Sequence, residues 1–157
     1  MCSACLLLVS CSKQNAELSK VEALIEALKE GNWETIKAPD FSDYSIAELL
    51  EFRNDKSQIS SFPSNPISSF YMEEVSLGMY VLWTIGSIRM RTIEDPDFYL
   101  FASLNPRIVR GSTGELVDQE VVFPEVSAAY FAWWNSSLST DAKLQINPLE
   151  QLDLIWN

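Results

Sequence analysis

The chain has 157 residues, 47% of them hydrophobic and 21% charged, with a formal net charge of −11. That length suits one domain with a sizeable core, and the mixture excludes an intrinsically disordered chain. The acidic balance argues against nucleic acid as a partner, and the complete lack of histidine excludes every mechanism or zinc site that needs imidazole.

Cysteine occurs only at Cys2, Cys5 and Cys11. Whatever folds beyond residue 11 therefore has no disulfide, thiol nucleophile or thiolate metal site of its own. A metal cluster at the three cysteines lacks a fourth ligand. The apolar run Leu6–Val9 leads instead into Ser10 and Cys11, and Leu8-Val9-Ser10-Cys11 resembles the lipobox of bacterial lipoproteins. The resemblance implies that the Cys11 thiol receives a diacylglycerol and that a signal peptide is cut before it. Several acyl chains, at ~0.8 kcal/mol per buried methylene, would then hold the protein on a membrane. No Lys or Arg precedes the run, which is shorter than the ~7–15 residues of a signal core, so the expected translation start lies upstream of Met1. Residues 1–10 read as a signal-peptide remnant, 11–15 as lipidated cysteine and tether, and 16–157 as a single helical domain.

Helical spacing of Leu18, Val21, Leu24, Ile25 and Leu28 predicts a helix over 16–29, ended by Gly31. Trp33 and Ile36 are expected to pack back onto it. Ser45 and Glu48 have capping-box spacing, with Tyr44 and Leu49 placed as a hydrophobic staple, so a second helix is expected to start at Ser45. Residues 54–69, rich in Ser, Asn and Pro, read as a long loop or crossover plugged by Phe62, Ile67 and Phe70.

The stretch Phe70–Arg91 is apolar around most of its circumference, which predicts a central helix buried on several sides. Glu73 and Glu74 fall in its expected first turns, Arg89 and Arg91 in its last, and Gly78 and Gly86 mark close backbone approaches. Fourteen residues, Val75–Ile88, lie between the flanking charges, too few for a membrane span of ~20. The fold expected is all-α, one domain of four to six helices around this element. Short strands near Leu100 and Val121 are compatible with it.

Glu94-Asp95-Pro96-Asp97 is ordinary turn chemistry. Gly111-Ser112-Thr113-Gly114 is a turn too: it lacks the GK[ST] ending of a phosphate loop, and neither a preceding strand nor a following helix is expected. Val122, Val126, Ala129, Tyr130 and Trp133 place a last helix within 118–135, with Pro124 in its first turn or at a kink. Adjacent helical residues point ~100° apart, so of Trp133 and Trp134 one belongs in the core and the other is half exposed. This pair is the candidate ligand- or partner-binding site. The tail, 147–156, is apolar enough to dock.

The segments SNPISSFY (64–71), MYVLWTIGSIRM (79–90), AAYFAWWN (128–135) and NPLEQLDLIW (147–156) look like pieces of uncharacterised bacterial envelope lipoproteins. That resemblance implies a small helical domain on a lipid anchor, with no catalytic residues to carry over. The functional expectation is a non-enzymatic envelope protein, anchored through Cys11, without metal or cofactor, that binds another protein. In one version it is an immunity-like protein whose anionic surface covers a basic toxin. The alternative is carbohydrate or small-ligand binding by an exposed Trp and the 54–69 loop. A carboxylate hydrolase would need two of Glu73, Glu74, Asp95 and Asp97 in one pocket.

Overall fold

The computed structural model describes residues 20–32, 40–62, 72–93 and 105–157. Helix α1 covers residues 20–30 and buries Val21, Leu24, Ile25 and Leu28. Gly31 ends it at φ +68°, and the Asn32 amide donates back to the Ala27 carbonyl at 3.1 Å, a left-handed stop that glycine adopts without steric cost. Leu18, Trp33 and Ile36 lie outside the described residues.

Helix α2, Ile46–Leu49, is a single turn between 3-10 turns at Asp43–Ser45 and Leu50–Phe52. Its apolar side is as expected, with Ile46, Leu49 and Leu50 buried. The capping box is not formed. Ser45 is already helical (φ −77°, ψ −15°) and makes no side-chain cap bond, because the preceding 3-10 turn takes up the role of helix entry. Tyr44 stays 48% exposed.

The central helix, α3, is Leu77–Ile93 and not 70–91. Its entry is fixed by an antiparallel pair in which β1, Gln58–Ile59, faces β2, Val75–Ser76. The Leu77 amide donates to the Ser57 carbonyl and the Gly78 amide to the Asp55 carbonyl, both at 2.8 Å. The 55–57 segment thus satisfies first-turn amides that an earlier helix start would have satisfied internally. Glu73 and Glu74 accordingly precede a strand and do not occupy a helical turn. Every residue from Leu77 to Arg89 is buried, and the hydroxyls of Thr84 and Ser87 donate to the Tyr80 and Trp83 carbonyls one turn back, so these two hydroxyls enter the core with their donors satisfied.

Both α3 glycines are points of close approach. A Cβ on Gly78 would lie 2.6 Å from Phe123 Cζ and 2.7 Å from the Arg53 carbonyl oxygen; one on Gly86 would lie 2.8 Å from the Trp156 indole.

A second antiparallel pair corrects the all-α expectation. Strand β3, Ile108–Arg110, faces β4, Leu154–Trp156, with Val109 opposite Ile155. The domain is mostly helical, with two two-stranded sheets among the described residues. Val121 belongs to helix α4, Gln119–Trp134, not to a strand, and Leu100 lies outside the described residues. Asp118 caps α4, accepting from the Glu120 amide at 3.0 Å, and Pro124 lies inside the helix on its exposed side. Helix α5, Thr140–Leu144, follows, capped by Ser139. The tail docks as expected, though as a strand: Trp156 Nε1 donates to the Tyr130 hydroxyl at 2.7 Å, and buried Arg89 holds the Ile146 carbonyl at 2.7 Å. No helix among the described residues is long and apolar enough to cross a membrane.

Candidate functional site

The Trp133–Trp134 pair divides as helical geometry requires. Trp133 is buried at 7% exposure, and its indole donates to the Lys143 carbonyl at 2.7 Å, tying α4 to α5. Trp134 is half-buried, 5.4 Å from the Trp133 ring centroid, with Lys143 Nζ 5.2 Å from its own centroid. The ammonium over the indole face is a cation–π contact. Trp134 is thus the member of the pair that reaches solvent.

Beside this pair, the C-terminal part of α4 and the segment after α5 enclose a groove of about 290 Å³ lined by Ala129, Trp133, Leu138, Ile146, Pro148 and Leu152, among others. Leu138 and Ile146 remain 46% and 41% exposed there. The asparagine and proline at 147–148 prevent α5 from continuing, which leaves Ile146 at the rim.

A separate cavity of about 360 Å³ opens at the other end of α4, between the β1–β2 pair and the first turns of the helix. Lys56 and Gln58 reach it from the 54–62 segment, Glu74 and Ser76 from β2 and its approach, and Gln119 and Glu120 from α4. Phe123, Val75 and Pro124 supply its apolar wall. Gln58 and Ser76 are direct cross-strand partners, so pairing places both on one face. Sequence spacing gives no sign of this cluster, because a two-residue ladder and one helix start assemble it from positions more than sixty residues apart. Of the carboxylates that a hydrolase would use, Glu74 lines the cavity and Glu73 does not; Asp95 and Asp97, like Cys11, lie outside the described residues.

Two further features are electrostatic. Glu48 has one carboxylate oxygen buried with no hydrogen-bond partner; loss of solvent, then Glu22 and Glu51 nearby, push its pKa up to about 7. Asp55 shows the opposite balance: burial alone would raise it, but hydrogen bonds from Ser57 and the Lys29 ammonium at 2.9 Å hold it at about 2.

A strand does precede the Gly111–Gly114 turn, contrary to expectation, yet the turn is not an anion site. Asp153, in the left-handed region at φ 52°, already accepts from the Ser112 amide at 2.8 Å and from its hydroxyl at 2.5 Å. An internal carboxylate takes the place an external phosphate would need.

These features define a small, mostly helical domain whose helix α4 carries an apolar groove at one end and a polar cavity at the other. The chain belongs to the family described as Domain of unknown function (DUF4943), whose model matches residues 15–157. No curated protein and no solved structure matches it.

Proposed function

We propose that the chain is a non-enzymatic, lipid-anchored protein of the bacterial envelope that binds a protein partner through the groove lined by Trp133, Leu138 and Ile146. The observation that carries the reading is the exposure of Leu138 and Ile146 on that groove. Covering apolar surface releases ~25 cal/mol per Å², so these side chains favour a partner that buries them, with the half-buried Trp134 next to the groove as a further amphipathic contact. The net charge of −11 favours a basic partner and fast, salt-sensitive association. The anchor reading rests on the lipobox-like Leu8–Cys11, and the shared family region begins only at residue 15.

Two measurements test it. Leu138→Asp and Ile146→Asp, both at partly exposed positions, should keep the circular dichroism spectrum while abolishing a photo-crosslinked adduct formed from position 136 in native envelopes. An adduct that survives both changes would overturn the groove as the binding face. Metabolic labelling with an alkyne fatty acid should be lost in Cys11→Ala, and label retained by that variant would remove the anchor. The carbohydrate alternative is less favoured, because Lys56 and Gln58 meet the first turn of α4, ~20 Å along the helix from Trp134 at 1.5 Å per residue, and Asn54 reaches only mid-helix, at Ser127.

A further inference from the structure

We propose that the cavity between the β1–β2 pair and the start of α4 binds a zwitterionic ligand of amino-acid or dipeptide size. This site is independent of the groove assigned above to a protein partner.

The argument begins with side chains that face one volume without satisfying one another. Lys56, Gln58, Glu74 and Glu120 all line the cavity, yet the side chains of none of them form a hydrogen bond or ion pair with another described residue. An ammonium and two carboxylates in one concavity ordinarily collapse into a salt bridge when their backbones allow it. Here the two glutamates stand on different elements, Glu74 ahead of β2 and Glu120 in the first turn of α4, with the cavity of about 360 Å³ between. That volume lies in the range of small-molecule sites.

The lining also selects the chemistry. Glu74 and Glu120 can share a ligand amine while Lys56 matches a ligand carboxylate, so each charged end of a zwitterion finds its opposite although the site's net charge stays unchanged. Pro124 has no amide to give the Glu120 carbonyl, which adds an acceptor for the amine at the same rim. Three neighbouring amides are already engaged and do not compete with Lys56 for an anion. The Glu120 amide is held by the Asp118 cap at 3.0 Å, and the Leu77 and Gly78 amides donate to carbonyls at 2.8 Å. The Gln58 amide suits a peptide group, Gln119 offers its Oε1 while its Nε2 donates to the Pro106 carbonyl, and the Phe123, Val75 and Pro124 wall accepts an aliphatic side chain. A neutral sugar would engage the amides but leave charges of both signs unmatched.

The test is titration of the full chain followed by amide chemical shifts, with alanyl-leucine, its N-acetyl form, its C-terminal amide and maltose as probes. Alanyl-leucine should bind saturably and shift Gln58, Ser76, Gln119 and Phe123. Blocking either end of the dipeptide should weaken binding tenfold or more, as should the double variant Glu74→Gln/Glu120→Gln, whose positions are exposed and tolerate the change. No saturable shift at millimolar dipeptide would overturn the proposal. So would equal binding of the N-acetyl form, or a response to maltose alone.

Discussion

Helices α3 and α4 are nearly equal in length and both rich in apolar residues, yet they occupy opposite situations. From Leu77 to Arg89 no residue of α3 is exposed, because α2, β2, α4 and α5 all pack against it. Helix α4 covers one side of α3 with Val122, Phe123, Val126 and Tyr130, and leaves Val121 and Phe131 71% and 44% exposed. The difference teaches that apolar residues all round a helix mean complete burial only if enough elements are available to surround it. In a domain of this size one helix can be enclosed, and the next one out carries its surplus apolar surface into solvent, where it can serve binding.

If α3 is the enclosed member, damage there should be largest. Trp83 is fully buried, with its ring centroid 5.5 Å from that of Tyr80; Trp83→Ala should cost about 3–5 kcal/mol in chemical denaturation. A loss below ~1 kcal/mol would show that another element forms the core. Gly78→Ala comes next. An alanine in a helix gains up to ~1 kcal/mol over glycine, but its Cβ would meet Phe123 at 2.6 Å and a backbone carbonyl oxygen at 2.7 Å. The carbonyl cannot swing aside as a side chain can, so overpacking of ~1–3 kcal/mol should prevail and the midpoint should fall. A rise would mean that α2 and α4 are free to move away from α3.

The enclosed helix was the more legible of the two from sequence. Its apolar circumference, its close-approach glycines and its limited length all pointed to a core element, and the structure agrees in each respect. What escaped was the pairing that sets its start, since Gln58–Ile59 against Val75–Ser76 is a two-residue ladder with no alternation long enough to read. Strand β4 escaped for a related reason: LIW reads equally well as the end of a helix until Val109 stands opposite Ile155. Local signals also misled at Ser45, where capping-box spacing lost to a 3-10 entry. The groove at Trp133 was half legible, through the Trp pair alone; the cavity at Glu74 and Glu120 depends wholly on tertiary placement.

Away from α3 the expected effects shrink and can change sign. Glu48 on α2 binds its proton more tightly in the folded state, with a pKa of about 7 against the ordinary 4.5 of a free glutamate. Between those values the folded protein holds more protons than the unfolded one, so stability should fall as pH rises through that window. Glu48→Gln should flatten this slope and raise stability above pH 7 by on the order of 1–2 kcal/mol, a figure reduced for solvent screening of a partly exposed group. Equal slopes for the two proteins in urea titrations at several pH values would discard Glu48 as the cause.

The smallest effect gives the finest test of the contrast within α4 itself. Val121 and Val126 are the same residue type on one helix, and five residues carry them ~140° apart around its axis. Val126 is wholly buried against α3's side of the interface, whereas Val121 is 71% exposed. Val121→Ala should therefore change stability by under ~0.5 kcal/mol, since little area is lost and alanine is the better helix former. The same change at Val126 removes two buried methyl groups and should cost several times more. Thermal melts of the two variants read the difference directly. Equal losses would mean that α4's outer face is covered in the free protein, and the contrast with the enclosed α3 would fall.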